Sequence, residues 1–383
     1  MKNKIIGISI CMLMVLTAFS AVATTTKQEK SSLVLSSVTP NDPGFSKQYH
    51  LQTSNRLMWA AFRFPFLNHF TYKLPFMVKP DSDISAPEAW AIETGSPDVV
   101  IAIIDSGIDY THPDLQANIW NNTDEIPSNG IDDDLNGYID DVMGWEFYYN
   151  TSDPKDDFGH GTSCAGIAAA AGNNSVGIAG VAWNCKIMPL KILNDSGWFY
   201  WEGLASAIRY AADNGADIIS MSIGDVNVSP TIVEDAVNYA YNKGVFLCAA
   251  AGNNGKNTPF YPAVYENVTA VGMTNPKDRA HLLSNYGEWV DIAAPGMWIY
   301  STTPTYPIPK NIALFENYSS SGGTSFATPQ VAGAAALLKS KDPSLTPAEI
   351  KALLCNNTDP YTGSHYIGTG RLNVYKALAA LTR

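Results

Sequence analysis

The sequence predicts an α/β fold in which a parallel central sheet is covered by helices on both faces. From residue 98 onward, short apolar runs alternate with helix-like stretches at 202–212, 232–242 and 330–340. The apolar runs are VVIAIID, KIMPLKIL, ADIISMSIG, GVFLCAAAGN and NVTAVGM. Strands that are apolar throughout are typical of parallel sheets buried on both sides. Ligands and catalytic groups collect at the carboxyl ends of such strands, where Asp105 and Asn253 follow two of the runs.

The composition favours one large globular domain and argues against several classes of partner. The chain has 383 residues, of which 46% are hydrophobic and 16% charged. Its 36 acidic and 24 basic residues give a net charge of −12. This excess of negative charge argues against a nucleic acid or an anionic membrane as a partner. We expect a monomer that binds neither, with clustered acids available for calcium.

The amino-terminal residues 1–23 have the form of a secretory signal peptide. Lys2 and Lys4 precede an uncharged stretch, 5–23, that ends in an A-x-A cleavage signal. If it were not cut, this stretch could span a bilayer and anchor the protein to a membrane. We expect cleavage and secretion, with 24–39 as a short linker or remnant pro-segment and 40–383 as the folded domain.

Two segments stand apart from the alternating pattern. Residues 118–158 form a polar, acidic loop, and residues 53–79 form an aromatic insertion. The aromatic residues of the insertion are Trp59, Phe62, Phe64, Phe66, Phe70, Tyr72 and Phe76. Their spacing fits neither a helix nor a strand. The insertion is either a strap packed on the body of the protein or a surface for a membrane interface or a partner.

The cysteines do not indicate a zinc site. Outside the signal segment, Cys164, Cys185, Cys248 and Cys355 are widely spaced and form no C-x-x-C pair. Four cysteines in an extracellular protein allow disulfides in three connectivities. Cys164 and Cys248 lie in apolar runs, so buried free thiols explain them equally well.

The stretch GGTSFATPQVAG, residues 322–333, places Ser325 before a helix-like run with Pro329 in its opening turn. Ser325 could be an N-cap. It could also be a nucleophile, because the positive end of a helix dipole favours the oxyanion that a serine nucleophile generates. A serine nucleophile needs a base to remove its proton and an acid to orient that base.

Candidates for the base and the acid occur at the edges of other predicted elements. His160 precedes a helix of small residues in DFGHGTSCAGIAAAAG, and Asp105 ends an apolar run that could bury it. His112 and Asp109 are alternatives, but both lie in a loop where exposure is expected.

Three blocks resemble, in order, the acid, histidine and serine blocks of the subtilisin-like serine peptidases: IIDSGIDYTHPDL, GHGTSCAGIAAA and GTSFATPQVAGAAALL. The resemblance implies a three-layer subtilisin-like fold and an endopeptidase that cuts polypeptides through an acyl-enzyme. It implies Asp105 as the orienting acid, His160 as the general base and acid, and Ser325 as the nucleophile. Asn253, in AAAGNNG, would bind the oxyanion together with the Ser325 backbone N–H. Two alternatives are a non-catalytic peptide-binding relative and a processing peptidase with few targets.

The same resemblance implies a substrate cleft. Segments SMSIG and ILNDSGWFYWEGL match the strand and rim that contact substrate, with residues 193, 201 and 204 around an apolar S4 subsite. Phe260 maps near the bottom of S1, so a shallow pocket that disfavours large P1 residues is expected. The implied substrate-binding residues are Leu193, Trp201, Leu204, Ser222, Ile223, Gly224, Ala250, Gly252 and Phe260.

Structural calcium is the implied cofactor. The stretch TPNDPGFSKQY resembles the amino-terminal arm of thermitase-like members of the family. This resemblance implies a site with side-chain ligands from Asp42, Asp114 and Asn174 and carbonyl ligands from Val176 and Ile178. Oxygen ligands from separate segments are what calcium prefers.

The stretch DDDLNGYIDD is a second calcium candidate. Asp132, Asp134, Asn136 and Asp140 fall at the first, third, fifth and ninth positions of an EF-hand-like loop. The twelfth position is Met143 where an EF-hand has a bidentate glutamate, and no flanking helices are evident. The pattern therefore predicts a local calcium loop, with a merely solvated acidic loop as the alternative.

Overall fold

The computed structural model describes residues 36–53, 57–63, 71–226, 228–308 and 317–381. The predicted signal peptide, residues 1–23, and residues 24–35 of the predicted linker lie outside this part of the chain. Within the described residues, none of the helices combines the length and apolar character needed to cross a membrane.

The strands and helices follow the predicted alternation. The strands are β1 (Leu57–Arg63), β2 (Thr71–Met77), β3 (Val100–Asp105), β4 (Trp145–Glu146), β5 (Lys186–Lys191), β6 (Ile218–Met221), β7 (Asp225–Val226), β8 (Phe246–Ala250), β9 (Phe260–Tyr261), β10 (Thr269–Thr274), β11 (Ile292–Pro295), β12 (Ile299–Thr302) and β13 (Tyr318–Ser321). The helices are α1 (Ala86–Trp90), α2 (His160–Ala169), α3 (Trp201–Asp213), α4 (Thr231–Asn242), α5 (Thr324–Lys341), α6 (Pro347–Asn356) and α7 (Val374–Ala380).

The centre of the fold is a seven-stranded sheet in the order β11-β10-β8-β6-β3-β5-β4. Every neighbouring pair in it is parallel. The five apolar runs form β3, β5, β6, β8 and β10, which confirms the predicted parallel sheet. The carboxyl ends of these strands therefore meet at one edge.

Both faces of the sheet are buried. Side chains alternate along each strand, so successive residues enter different apolar clusters. On β3, Ile101 and Ile103 belong to an apolar cluster shared with residues of α1, α2, α5, α6 and α7. Ala102 and Ile104 belong to the opposite cluster, shared with residues of α3 and α4. This is the predicted three-layer arrangement, with helices covering the sheet on both sides.

Small residues let α5 approach α2 closely. A Cβ atom added at Gly333 of α5 would lie 2.6 Å from Val181 Cβ and 2.9 Å from the Ala168 carbonyl oxygen. On the other side of α2, a Cβ at Gly166 would clash with the Thr302 hydroxyl of β12. Gly333 thus sets how closely α5 approaches α2, and Gly166 sets how closely α2 approaches β12.

The start of α5 differs from the prediction. The helix begins at Thr324, so Pro329 lies in its interior and not in its opening turn. Proline has no backbone N–H, so it cannot bond the carbonyl four residues earlier, which is that of Ser325. That carbonyl instead accepts a hydrogen bond from the Ser222 hydroxyl at 2.8 Å.

The aromatic insertion contains an antiparallel hairpin of β1 and β2, with Leu57 paired to Met77. Met58 and Phe76 pack against a cluster that includes Tyr49 and Phe326. The Phe76 ring lies 6.0 Å from that of Tyr49. The described side chains therefore fit the interpretation of a strap packed on the body of the protein, in strands that the irregular aromatic spacing did not reveal.

Residues 118–158 consist mainly of turns, but they also contribute β4, the edge strand of the central sheet. The four cysteines outside the signal segment are free thiols, and Cys164, Cys185 and Cys248 are buried. The free-thiol alternative is thus the one that the structure shows.

Candidate active site

Asp105 and His160 form a hydrogen-bonded pair where β3 ends and α2 begins. His160 Nδ1 lies 2.8 Å from Asp105 Oδ1 and 3.0 Å from Oδ2. The Ser106 backbone N–H donates to the same Oδ1 at 2.7 Å. Asp105 is fully buried, whereas 21% of the His160 side chain is exposed. Because a carboxylate accepts at Nδ1, the proton of the neutral ring sits there and Nε2 is left as the basic nitrogen.

Ser325 is the second residue of α5 and lies against the segment that follows β6. Its hydroxyl donates to the Ser222 carbonyl at 3.1 Å, and the Ser222 hydroxyl donates to the Ser325 carbonyl at 2.8 Å. The second bond uses the carbonyl that Pro329 leaves free. Catalytic hydrogen bonds are often long or poorly aligned before substrate binds, so the bond to Ser222 is compatible with a role of Ser325 beside His160.

Asn253 presents an amide N–H₂ group beside Ser325. Its Oδ1 accepts hydrogen bonds from the Thr324 backbone N–H at 2.9 Å and from the Thr324 hydroxyl at 3.1 Å. A backbone N–H can only donate, so these bonds identify the amide oxygen and leave Nδ2 on the other side. A Cβ at Gly323 would lie 3.3 Å from that Nδ2, so a glycine there keeps the space around it open.

His160, Ser325 and Asn253 line one cleft with a volume of about 320 Å³. Most of the predicted substrate-binding residues line it as well: Leu193, Ser222, Ile223, Gly224, Ala250, Gly252 and Phe260. The cleft also contains residues that sequence reasoning missed: Phe158, Ser196, Gly197, Phe199 and Thr324. Phe158 lies two residues before His160, and Phe199 lies between Leu193 and Trp201, so both rings are close in sequence to predicted site residues.

Two predicted rim residues lie elsewhere. Leu204 is fully buried in the apolar cluster beneath α3 and does not line the cleft. Trp201 packs edge-on against Phe199, with ring centroids 4.9 Å apart, and it is Phe199 that lines the cleft. The reason is that α3 begins at Trp201, so a residue one turn later faces the sheet.

Phe260 fills the space between two glycines of the cleft. A Cβ at Gly224 would lie 2.5 Å from Phe260 Cε1, and a Cβ at Gly252 would lie 2.9 Å from Cδ2. The ring is therefore packed against both glycines, which come after β6 and β8. It lines the cleft between them.

The electrostatic environment of His160 favours its charged form. Burial alone would lower the pKa of His160, but the Asp105 carboxylate and the neighbouring Cys164 together outweigh burial and raise this pKa well above its usual value. Cys164 Sγ lies 3.8 Å from His160 Nδ1 and 3.5 Å from the Ser325 carbonyl oxygen. Burial raises the pKa of Cys164, so it is a neutral thiol beside the pair.

The first predicted calcium ligands come together from three segments. Asp42 Oδ2 accepts from the Asn173 N–H at 2.7 Å, and Asp114 Oδ1 accepts from the Asn174 side-chain amide at 3.2 Å. The Ile178 N–H donates to Asp114 Oδ2 at 2.8 Å. Burial, together with repulsion from Asp114, raises the pKa of Asp42. Two carboxylates that repel each other at a buried position fit a cation.

Val176 belongs to the same loop. Its N–H donates to the Asn174 side-chain oxygen at 2.6 Å, and the N–H of Gly44 donates to the Gly177 carbonyl in the same turn. The loop 174–178 thus wraps around Asp114 and the arm that carries Asp42.

In the acidic loop, the structure groups a different set of carboxylates from the predicted one. Asp134 lies with Glu125 and Asp141, and the ligand atoms of the three are within 4.8 Å of one another. The Asn136 side-chain amide donates to Asp134 and Asp141, at 3.0 Å each. Three convergent carboxylates fit a divalent cation.

The remaining predicted ligands of this loop bind backbone. Asp132 accepts from the N–H groups of Asn136 and Gly137 at 3.0 and 2.8 Å. Asp140 accepts from those of Asn129 and Gly130 at 3.0 and 3.1 Å. The EF-hand-like spacing predicts Asp140 as a ligand together with Asp134. In the structure it is the next residue, Asp141, that lies with Asp134.

Comparisons with known proteins identify the family. Residues 96–372 match the Peptidase S8 family, described as the subtilase family. The chain belongs to the subtilase family. It is 44% identical to thermitase from Thermoactinomyces vulgaris over 296 residues, which cover 77% of this chain and 93% of that relative. It is 36% identical to subtilisin DY from Bacillus licheniformis, over 73% of this chain and 90% of the relative.

A solved structure supports the same assignment. Proteases from Pseudoalteromonas arctica PAMC 21717 match with a TM-score of 0.69 and 30% identity, covering 90% of this chain and 99% of that one. This subtilase is therefore a thermitase-like serine endopeptidase with a subtilisin-like fold.

The raised pKa of His160 predicts an alkaline shift of the acid limb of activity. The resemblance implies His160 as the general base, which must be neutral to act, and its raised pKa keeps the imidazole protonated to higher pH. We expect kcat/KM on a peptide substrate to rise with pH through a midpoint above 6.5. In Asp105→Asn, the residual activity should show a midpoint at lower pH, with kcat reduced about 10⁴-fold. An unchanged midpoint in that variant would show that Asp105 does not set the pKa.

Proposed function

We propose that this subtilase is a secreted endopeptidase whose catalytic groups are Asp105, His160 and Ser325, with Asn253 in the oxyanion hole. The observation that carries the proposal is the 2.8 Å hydrogen bond between His160 and the buried Asp105, in a cleft that also holds Ser325. Three chemically complementary groups from three distant segments converge there, next to an amide donor. A binding protein would have no need of this combination.

The geometry supports the following sequence of steps. Ser325 Oγ attacks the substrate carbonyl while His160 Nε2 takes its proton, and Asp105 stabilises the imidazolium. The oxygen of the substrate becomes negative and is bound by Asn253 Nδ2 and the Ser325 N–H. His160 then gives its proton to the leaving amine, which leaves an acyl-enzyme. Water activated by His160 hydrolyses the ester and restores the Ser325 hydroxyl.

The secretion part of the proposal rests on sequence. Lys2 and Lys4, the uncharged stretch after them and the A-x-A signal are typical of a cleaved signal peptide. The four free cysteines do not oppose secretion, because three of them are buried and shielded from oxidants.

We propose that polypeptide substrates bind in extended form along Ser222, Ile223 and Gly224. These residues follow β6 and line the cleft beside Ser325. Backbone pairing of an extended peptide gives affinity that does not depend on sequence, and pockets select side chains. With Phe260 between Gly224 and Gly252, the S1 pocket is shallow and favours small P1 residues.

We propose calcium as a structural ion at the Asp42–Asp114–Asn174 site and at the Glu125–Asp134–Asp141 cluster. Both sets offer oxygen ligands from separate segments, as calcium prefers. At each place the ion would offset repulsion between buried or half-buried carboxylates.

Substitution of the nucleophile tests the catalytic assignment. We expect Ser325→Ala to abolish both casein digestion and labelling by a fluorophosphonate probe, because no oxygen nucleophile remains. Asn253→Ala should lower kcat about 10²–10³-fold, the loss known for the corresponding donor in subtilisin itself. Ser344→Ala, on the exposed turn after α5, is the matched control and should keep full activity. Undiminished casein digestion by Ser325→Ala would refute the assignment, and absence of labelling in the unmodified protein would favour a non-catalytic peptide binder.

Truncation of Phe260 tests the specificity proposal. We expect Phe260→Ala to raise kcat/KM for substrates with P1 Phe about 10- to 100-fold relative to P1 Ala, because an opened pocket can bury the aromatic ring. The measurement is a peptide library that varies only at P1. Phe199→Ala removes another ring of the cleft and should leave this ratio unchanged. A strong P1 Phe preference in the unmodified enzyme would contradict a shallow pocket.

Chelation tests the calcium proposal. In the Ser325→Ala form, which cannot digest itself, we expect EDTA to lower the thermal midpoint. Calcium at 100 times its Kd should stabilise the fold by about 2.7 kcal/mol. The double variant Asp42→Asn and Asp114→Asn should lose part of this response, whereas Asp98→Asn, an exposed carboxylate, should keep it. Equal midpoints with calcium and with EDTA would rule the proposal out.

A further inference from the structure

A second buried carboxylate, Asp156, lies behind the Asp105–His160 pair and takes no part in the steps above. It is 1% exposed and belongs to the loop before α2. Its Oδ1 accepts hydrogen bonds from the Ser106 hydroxyl at 2.8 Å and from the N–H groups of Phe158 and Gly159 at 3.0 and 2.7 Å. Its Oδ2 accepts from the N–H and the hydroxyl of Thr162 at 2.9 and 2.6 Å.

These partners flank both members of the pair. Ser106 directly follows Asp105, and its backbone N–H donates to the Asp105 carboxylate. The Ser106 hydroxyl, besides donating to Asp156, accepts from the Gly161 N–H at 2.9 Å. Asp156 therefore connects the end of β3 to the first turn of α2 on either side of His160.

The same contacts satisfy the amino terminus of α2. The N-cap residue, Gly159, has φ 89° and no side chain that could bond the unpaired N–H groups of the first turn. Ser106 takes the Gly161 N–H and Asp156 takes the Thr162 N–H. A negative carboxylate is favoured at the positive end of the helix dipole. The cap of the histidine helix is thus supplied from the two neighbouring segments.

We propose that Asp156 is a positioning residue that holds the His160 ring in register with Asp105. The carboxylate fixes Ser106 and Thr162 relative to each other, and the two catalytic side chains are carried on the residues beside them. The proposal rests on the catalytic roles assigned above to Asp105 and His160. It adds that their alignment depends on a carboxylate that touches neither substrate nor the reacting atoms.

The test is Asp156→Asn, which keeps the shape but points an amide N–H₂ group at backbone donors. We expect kcat on a peptide substrate, normalised by active-site titration, to fall about 10- to 100-fold, with KM changed less than about twofold. The NMR signal of the His160 Nδ1 proton should shift or broaden, since it reports the bond to Asp105 directly. Asp153→Asn, an exposed carboxylate three residues earlier that accepts from Tyr110, is the matched control and should change neither quantity.

Both readouts must change for the proposal to hold. Titrated kcat within twofold of the unmodified enzyme would overturn it, and so would a fall in kcat with an unchanged His160 signal. If Asp156→Asn does not fold, Ser106→Ala and Thr162→Val each remove one hydrogen bond to Asp156, together with one bond from a backbone N–H, and the same two measurements decide. Thr162→Ser keeps the hydroxyl, so its kcat and its His160 NMR signal should both match those of the unmodified enzyme. The NMR signal does not depend on turnover, so failure of the catalytic proposal would be recognised separately, by absence of fluorophosphonate labelling in the unmodified protein.

Discussion

The hydrogen bond between Asp105 and His160 constrains the rest of the site. A carboxylate buried as completely as that of Asp105 is stable only if hydrogen bonds replace the water it has lost. The imidazole and the Ser106 N–H supply those bonds at 2.7 to 3.0 Å. The imidazole can reach Asp105 only if β3 ends where α2 begins. The packing of α2 on the sheet therefore determines whether the pair exists.

Close packing of small residues meets that requirement. Glycines on α2 and α5 allow backbones and short side chains to approach to distances that a methyl group would prevent. The amino termini of both helices then reach the same edge of the sheet as the carboxyl ends of β3 and β8. Pro329 also contributes, because its missing N–H leaves the Ser325 carbonyl to accept a hydrogen bond from the Ser222 hydroxyl. The helix that carries Ser325, the proposed nucleophile, is thereby tied to the segment after β6 that is proposed to bind substrate.

What could be predicted from sequence follows from how local each signal is. The strands, and the grouping of His160, Ser325 and Asn253, depend on apolar runs and on contiguous motifs. Leu204 was misplaced because the direction of its side chain depends on where α3 begins. Sequence reasoning missed Glu125 and Asp141 because the loop folds back on itself to bring them to Asp134, and no regular spacing in the sequence indicates this. Asp156 lies four residues before His160 and just outside the motif DFGHG, and only the structure shows that its partners include Ser106, 50 residues away.

The Asp105–His160 pair also couples activity and stability to pH, with opposite signs. The raised pKa of His160 means that the folded state holds this proton more tightly than the unfolded chain does. The resulting stabilisation is fully present below the unfolded pKa of about 6.5 and is lost as pH rises through the folded pKa. In the mechanism proposed above, His160 acts as the neutral ring, so activity is expected to appear over that same rise in pH. On that proposal the enzyme is most active where the pair stabilises it least, and its stability there comes from the three-layer core and the cap of α2.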